Sequence, residues 1–382
     1  MNNDVYQESL KLHAEHHGKI ETVSKVKLDS KEALSLAYTP GVAEVCREIA
    51  SDPAQAREYT LKHNTIAIVS DGSAILGLGN LGALASIPVM EGKAAIFKEF
   101  GGVDAFPICL ETQDTEEIIK AVKQIAPVFG GINLEDISAP RCFEIEERLR
   151  AELDIPVMHD DQWGAATVAL AGIINSLKLA EKAKENIKVV VSGVGAAGVA
   201  TARMLFAYGI KNIIFCDSKG IIYQGRSDIT PEKQELIDSS EASPTEGVLA
   251  DAVKNADVFI GLSKPNILTE DMVKTMNSKP IIFAMSNPNP EIMPDLAKKA
   301  GAFIVATGRS DFPNQLNNSL VFPGIFKGAL EGGISQFKIE MFVEVAKALA
   351  ENLVNPTTEK ILPTMFDAGI VELVSGTIQK QK

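Results

Sequence analysis

The chain has 382 residues, a length that suggests two domains, or three. Hydrophobic residues make up 46% and charged residues 23%, which excludes wholesale disorder, and no run of about 18 apolar residues points to a membrane span. Lys and Arg number 37 against 50 Asp and Glu, a net charge of −13, so neither nucleic acid nor an anionic membrane surface is an expected partner.

The first 19 residues, MNNDVYQESLKLHAEHHGK, are polar and lack the apolar core of a signal peptide, so a cytoplasmic location is expected. Within them His13 and His17 have the i,i+4 spacing of a metal pair, but no third ligand is nearby and a solvated face is the simpler reading. From residue 64 short apolar runs alternate with helical patterns. Strands are expected at 65–70, 103–109, 132–136 and 155–159, and helices at 115–126 and 139–153, the second capped by Ser138. One long helix, 163–184, small and apolar and then charged, connects the halves. Five more strands, at 188–192, 212–216, 257–262, 280–285 and 302–306, alternate with helices, and the tail 337–379 reads as helical. The expected class is α/β with two α/β domains, the second a Rossmann-type doubly wound parallel sheet. The expected division is 1–162 and 163–382, with the last helix, 364–379, free to pack on either. Cys46, Cys109, Cys142 and Cys216 stand far apart without a CxxC pair and read as reduced thiols.

Strand 188–192 runs straight into Gly193-Val194-Gly195-Ala196-Ala197-Gly198 and then a helix. The first glycine permits a tight turn, the second a close approach of the backbone to a pyrophosphate, and the third close packing of helix on strand. The helix N-terminus carries partial positive charge toward the phosphates. Asp217, 19 positions after Gly198, ends the next strand, where it can accept hydrogen bonds from the adenosine ribose and repel a 2′-phosphate. NAD is therefore expected over NADP, with Ser218 and Lys219 softening the preference.

Two acidic clusters, Glu135-Asp136 and Asp160-Asp161, end strands of the first half. Strand ends on one edge of a parallel sheet converge, and oxygen ligands from two neighbouring ends suit Mg²⁺ or Mn²⁺. Helix N-caps and solvated turns would explain the same residues. Lys93, between a glycine and an apolar run, is a candidate base whose pKa partial desolvation would lower, or else a snorkelling surface lysine. Tyr38 precedes Thr39-Pro40-Gly41 at a rigid turn.

Together these segments resemble the malic enzyme family, in its short bacterial form. The likeness runs from SLAYTPGVA (35–43) through SDGSAILGLGNLG (70–82), PVMEGKAAIFKEFGGVDAFPIC (88–109), FGGINLEDISAPRCFEIE (129–146) and HDDQ (159–162). It continues with GVGAAG (193–198), MSNPNPE (285–291) and LNNSLVFPGIFKGAL (316–330). The resemblance implies Tyr38 as general acid, Lys93 as general base that also contacts substrate, and Glu135, Asp136 and Asp161 as ligands of Mg²⁺ or Mn²⁺. Asn287 and Asn318 match residues that contact substrate and the nicotinamide end of the cofactor. It further implies oxidative decarboxylation of L-malate to pyruvate and CO₂ with NAD or NADP, oxaloacetate decarboxylation as a side activity, and a homodimer or higher homo-oligomer.

Three positions depart from the family pattern. Trp163 stands for a histidine, Ala165 for a threonine, and Ala74 where larger members carry an arginine. An amino-acid dehydrogenase would need a glycine-flanked lysine but no metal triad. An NAD-binding regulatory protein is the other alternative, and intact Tyr38, Lys93 and three carboxylates argue against it.

Overall fold

The computed structural model describes residues 3–382. Two sheets organise them. The first has the order β2 (Asp104–Cys109), β1 (Thr65–Ser70), β3 (Gly131–Leu134) and β4 (Val157–His159), all parallel. Thr65-Ile-Ala-Ile-Val-Ser70 is buried at every position, as expected of a strand covered on both faces by helices. The second sheet has the order β10 (Ile304–Thr307), β9 (Ile281–Ala284), β8 (Val258–Gly261), β5 (Val189–Ser192), β6 (Ile213–Asp217) and β7 (Gly220–Ile221). Its chain direction reverses sideways at β5, which places a crevice at the carboxyl ends of β5 and β8.

The nine expected strands lie where the apolar runs placed them, with ends displaced by a residue or two. The second sheet is not wholly parallel: β7 pairs antiparallel with β6 through a two-residue turn, too short to show as an apolar run. Ser138 is not the cap of its helix. The helix spans Arg141–Glu152 behind Pro140, and the Ser138 hydroxyl accepts from Arg141 instead. The connecting helix begins earlier, at Asp160, and stops at Ala180, where Glu181 turns left-handed. The C-terminal tail is two helices, Ile339–Asn352 and Ile370–Gln379, with irregular chain between them.

Asp160–Ala180 is long and apolar enough to cross a membrane, but 78% of its most apolar window is buried inside the protein. It packs on helices Ala196–Tyr208 and Ile339–Asn352, so it is the core helix around which the second half is built. The largest apolar cluster is continuous across the two sheets. The Phe97 ring of the first half lies tilted 4.6 Å from Phe322 and edge-on 5.6 Å from Phe326, both on helix Phe322–Gly332. Helix Ile370–Gln379 in turn packs on that helix and on Ile339–Asn352. The N-terminal helices contrast with this: Lys31–Ala37, Val42–Ser51 and Gln55–Tyr59 bury no residue.

Candidate active site

Register brings the acidic groups together. Leu134 of β3 lies beside His159 of β4, so Glu135-Asp136 and Asp160-Asp161 emerge side by side from neighbouring strand ends. Candidate ligand oxygens of Glu135, Asp136 and Asp161 all lie within 4.8 Å of one another. That spacing suits oxygens arranged about one cation with bonds of about 2.1 Å. Asp136 adopts a left-handed conformation, φ +53°. It is held there from both sides: its N–H donates to Asp161 Oδ2 at 2.7 Å and its carbonyl accepts from Ala74 N–H at 3.0 Å. Strain of this kind persists only where the surroundings over-determine it, as at ligand sites.

Lys93 enters from helix Ala83–Ile96 and is buried. Its Nζ donates to Asp160 Oδ2 at 2.5 Å, pairs with Glu135 Oε2 at 2.6 Å, and lies 4.4 Å from the centre of the Phe322 ring. Burial alone would lower its pKa, the direction expected from sequence. Asp160, Glu135 and Asp161 outweigh burial, and the pKa is raised. The sequence expectation of a depressed lysine is thus reversed by neighbours it could not locate. Four carboxylates crowd this one ammonium. Burial and the adjacent Asp161 push Asp136 up to about 7. Burial also disfavours the charge on Asp161, but His159 and Lys93 hold its pKa below the ordinary value.

This donor set fits a hard divalent cation. The Asp136 Oδ2 atom is buried with no hydrogen-bond partner, an orphan that a cation would satisfy. All three donors are carboxylate oxygens, the class that Mg²⁺ and Mn²⁺ select.

Asp160 is drawn into the site by more than Lys93. A Cβ on Gly164 would lie 1.9 Å from Asp160 Oδ1 and 3.0 Å from Asn318 Cβ, so only glycine lets these three positions nest. Asn318 thereby borders the Asp160 turn. Asn287 is exposed, and its carbonyl meets loop 71–82 of the first half at Gly77, where a Cβ would be 2.2 Å away. Ala74 brings no charge to that loop. Arg141 reaches it instead, pairing with buried Asp71 at 2.9 Å and donating to Ser73 Oγ at 3.0 Å.

The nucleotide turn has the form its glycines suggested. A Cβ on Gly198 would lie 1.9 Å from the Gly193 carbonyl, whereas one on Gly195 would meet nothing within 4 Å. Val194, Gly195, Ala196 and Ala197 are accessible, and helix Ala196–Tyr208 starts with no side-chain cap on its free N–H groups. An open backbone approach at an uncapped helix N-terminus fits a pyrophosphate. Asp217 stands next to it, because Gly193 N–H donates to the Cys216 carbonyl at 2.8 Å. Its carboxylate is already engaged. Both Arg226 Nη atoms pair with it, and Lys233 Nζ lies 2.7 Å away. These cations and the Lys219 backbone N–H overcome the effect of burial and hold its pKa well below the ordinary value.

Tyr38 is not brought to this cluster by the chain alone. It is 66% exposed, and its hydroxyl makes no hydrogen bond among the described residues. Sequence reasoning also missed two buried carboxylates. Glu291 accepts backbone N–H bonds from Ser263 and Ser286, each 3.0 Å, and so ties the 285–291 loop to the end of β8. Glu146 lies on the same helix face as Cys142, Ile145 and Leu149. A carboxylate inside an apolar stripe was the available signal for it.

Comparison with known proteins bears on the chain as a whole. The family model "Malic enzyme, N-terminal domain" matches residues 17–150, and "Malic enzyme, NAD binding domain" matches 163–375. An NAD-dependent malic enzyme of Geobacillus stearothermophilus is 55% identical over 365 residues, covering 94% of this chain and 76% of that one. An NADP-dependent malic enzyme of Escherichia coli is 47% identical over 87% of this chain and 44% of its own length. The crystal structure of an NAD-dependent malic enzyme from Thermotoga maritima superposes with a TM-score of 0.94 at 48% identity, covering 97% of this chain and 98% of that one.

Proposed function

The chain belongs to the malic enzyme family, and from that premise we propose how its own residues divide the work. The reaction is the oxidative decarboxylation of L-malate to pyruvate and CO₂ with reduction of NAD or NADP. The observation that carries the residue assignment is the buried lysine held between Glu135 and Asp160 beside a three-carboxylate cluster.

Glu135, Asp136 and Asp161 hold the divalent cation, and Gly193 to Gly198 with Asp217 hold the dinucleotide. When bound, the cation supplies an electrophile for the C2 oxygen of malate and the nicotinamide supplies the hydride acceptor. Lys93, neutral once a bound cation offsets the charge of Glu135, Asp136 and Asp161, would take the C2 hydroxyl proton, with its Nζ kept in place by Asp160 and Glu135. Asn318, beside the Asp160 turn, and Asn287, at the meeting of the two halves, orient substrate and the nicotinamide end of the cofactor. After CO₂ departs, Tyr38 protonates C3. The same lysine and acid serve oxaloacetate, which enters at the decarboxylation stage. NADH formation from malate, measured with and without Mn²⁺, after EDTA treatment and again with NADP⁺, tests this reading. Activity that survived EDTA would refute the ligand assignment.

The protein works as a homo-oligomer in the cytoplasm. The N-terminal segment supports the oligomer: Val23 in irregular chain, Leu36 on helix Lys31–Ala37 and Tyr38 at the C-terminal end of that helix are 71%, 79% and 66% exposed, and the helix buries nothing within its own chain. Large apolar side chains exposed along one segment mark an interaction surface. Tyr38 then reaches a reacting carbon only where this segment and a second copy meet.

A further inference from the structure

Glu146 is buried at 4% exposure on helix Arg141–Glu152, and no lysine or arginine forms an ion pair with it among the described residues. Its carboxylate is satisfied by three donors, all from one run of five residues. The His159 backbone N–H donates to Oε1 at 2.9 Å, Gln162 Nε2 donates to Oε2 at 2.9 Å, and Trp163 Nε1 lies 2.9 and 3.1 Å from the two oxygens. That run is the turn from β4 into the core helix, and it carries both Asp160 and Asp161. On its front face Asp160 meets Lys93 and Asp161 Oδ2 meets Asp136 N–H. Behind it, His159 Nε2 reaches the same Asp161 Oδ2 at 3.1 Å while its Nδ1 faces Gln162 Nε2 at 3.0 Å.

The turn also needs outside support. His159, which precedes the core helix, gives it no side-chain cap, so its first free N–H groups lack that local anchor. Trp163 adds a second anchor, because its ring stacks 5.3 Å from Phe342 at 13° and so fixes the turn against helix Ile339–Asn352 of the second half.

We propose that Glu146, with Trp163 as its third donor, is the positioning residue that sets Asp161 for the cation. The inference rests on the assignment of Asp161 as a cation ligand. Groups bonded to ligand side chains commonly change metal affinity by about 10–100-fold when removed; His159 stands in that place beside Asp161, and Glu146 acts one contact further out, through the His159 backbone N–H. Trp163 supplies both the third donor to Glu146 and the face that stacks on Phe342. Replacing Glu146 by Gln leaves one carbonyl oxygen for three donors and turns an NH₂ group toward another N–H, so the turn must give.

The test is Mn²⁺ binding to the full chain without substrate, followed by the electron paramagnetic resonance signal of free Mn²⁺, with far-UV circular dichroism and Tm as controls. Glu146→Gln should raise the Mn²⁺ Kd by about tenfold, the low end of the range for a direct partner of a ligand. Trp163→Phe, which keeps the stack and removes the donor, should raise it by less. Trp163→His, which restores an N–H, should stay closer to the parent value than Trp163→Phe. A role confined to packing would lower Tm and leave Kd where it was. Should Glu146→Gln fail to fold, the Phe and His pair at 163 decides. Parent-like Kd values for Glu146→Gln and Trp163→Phe, beside a weakened Asp161→Asn, would overturn the positioning role alone. An unchanged Kd for Asp161→Asn would remove the ligand assignment and this inference with it.

Discussion

Asp160→Asn should separate the base from the cation. By sequence Asp160 is the neighbour of a ligand, on the opposite side of an alternating strand, with only a mild role to expect. In the structure it is fully buried and its Oδ2 is 2.5 Å from Lys93 Nζ. Asparagine keeps the volume and its carbonyl can still accept from Lys93, so the geometry survives and the charge is lost. A hydrogen bond to a charged group contributes about 1.5–3 kcal/mol, a neutral one about 0.5–1.5. The middles of these ranges differ by about 1.2 kcal/mol, which corresponds to a little under tenfold in rate if it is expressed in the placement of the base. The loss stops there because Glu135, 2.6 Å from the same Nζ, still holds it. The assay is kcat at saturating Mn²⁺ together with the Mn²⁺ concentration for half-maximal activity, for Asp160→Asn and Asp161→Asn side by side. Asp160→Asn should lower kcat about tenfold with little change in Mn²⁺ dependence. Asp161→Asn should weaken Mn²⁺ binding, with partial rescue by excess Mn²⁺. Equal shifts in Mn²⁺ dependence for the two variants would refute the division of labour between adjacent aspartates.

Lys93→Ala should lower kcat by roughly 10²–10⁴, since a methyl group cannot accept the C2 proton; near-parental turnover in a folded variant would remove its role. Asp217→Ser should raise the ratio of kcat/KM for NADP⁺ to that for NAD⁺, because it deletes a repulsive charge and frees Arg226 and Lys233 to meet a 2′-phosphate. An unchanged ratio would mean that Asp217 does not face the ribose. Tyr38→Phe and Lys93→Ala chains, each inactive alone, should regain activity when unfolded together and refolded as a mixture, if the acid and base of one site come from different copies. A mixture as inactive as its components would place both groups in one chain.

The short strands were legible because each is an uninterrupted apolar run of the length a buried parallel strand requires, and that signal is local. The Gly193–Gly198 turn was legible for the same reason: strand, glycines and helix follow one another directly. The three carboxylates were legible as a set through adjacent pairs at strand ends and through resemblance. Their crowding around Lys93 was not, because it depends on the pairing of Leu134 with His159 and on a contact between residues 67 positions apart. Only the fold turned the lysine expected to be depressed into one whose charge is reinforced, occupied Asp217 with Arg226, and left Tyr38 exposed at the end of an unburied helix. Local sequence sets which segments become strands and which turn has the open, glycine-lined form that suits a phosphate. Register and long-range packing set which charges become neighbours, and in a buried site the neighbours decide the sign of each electrostatic effect.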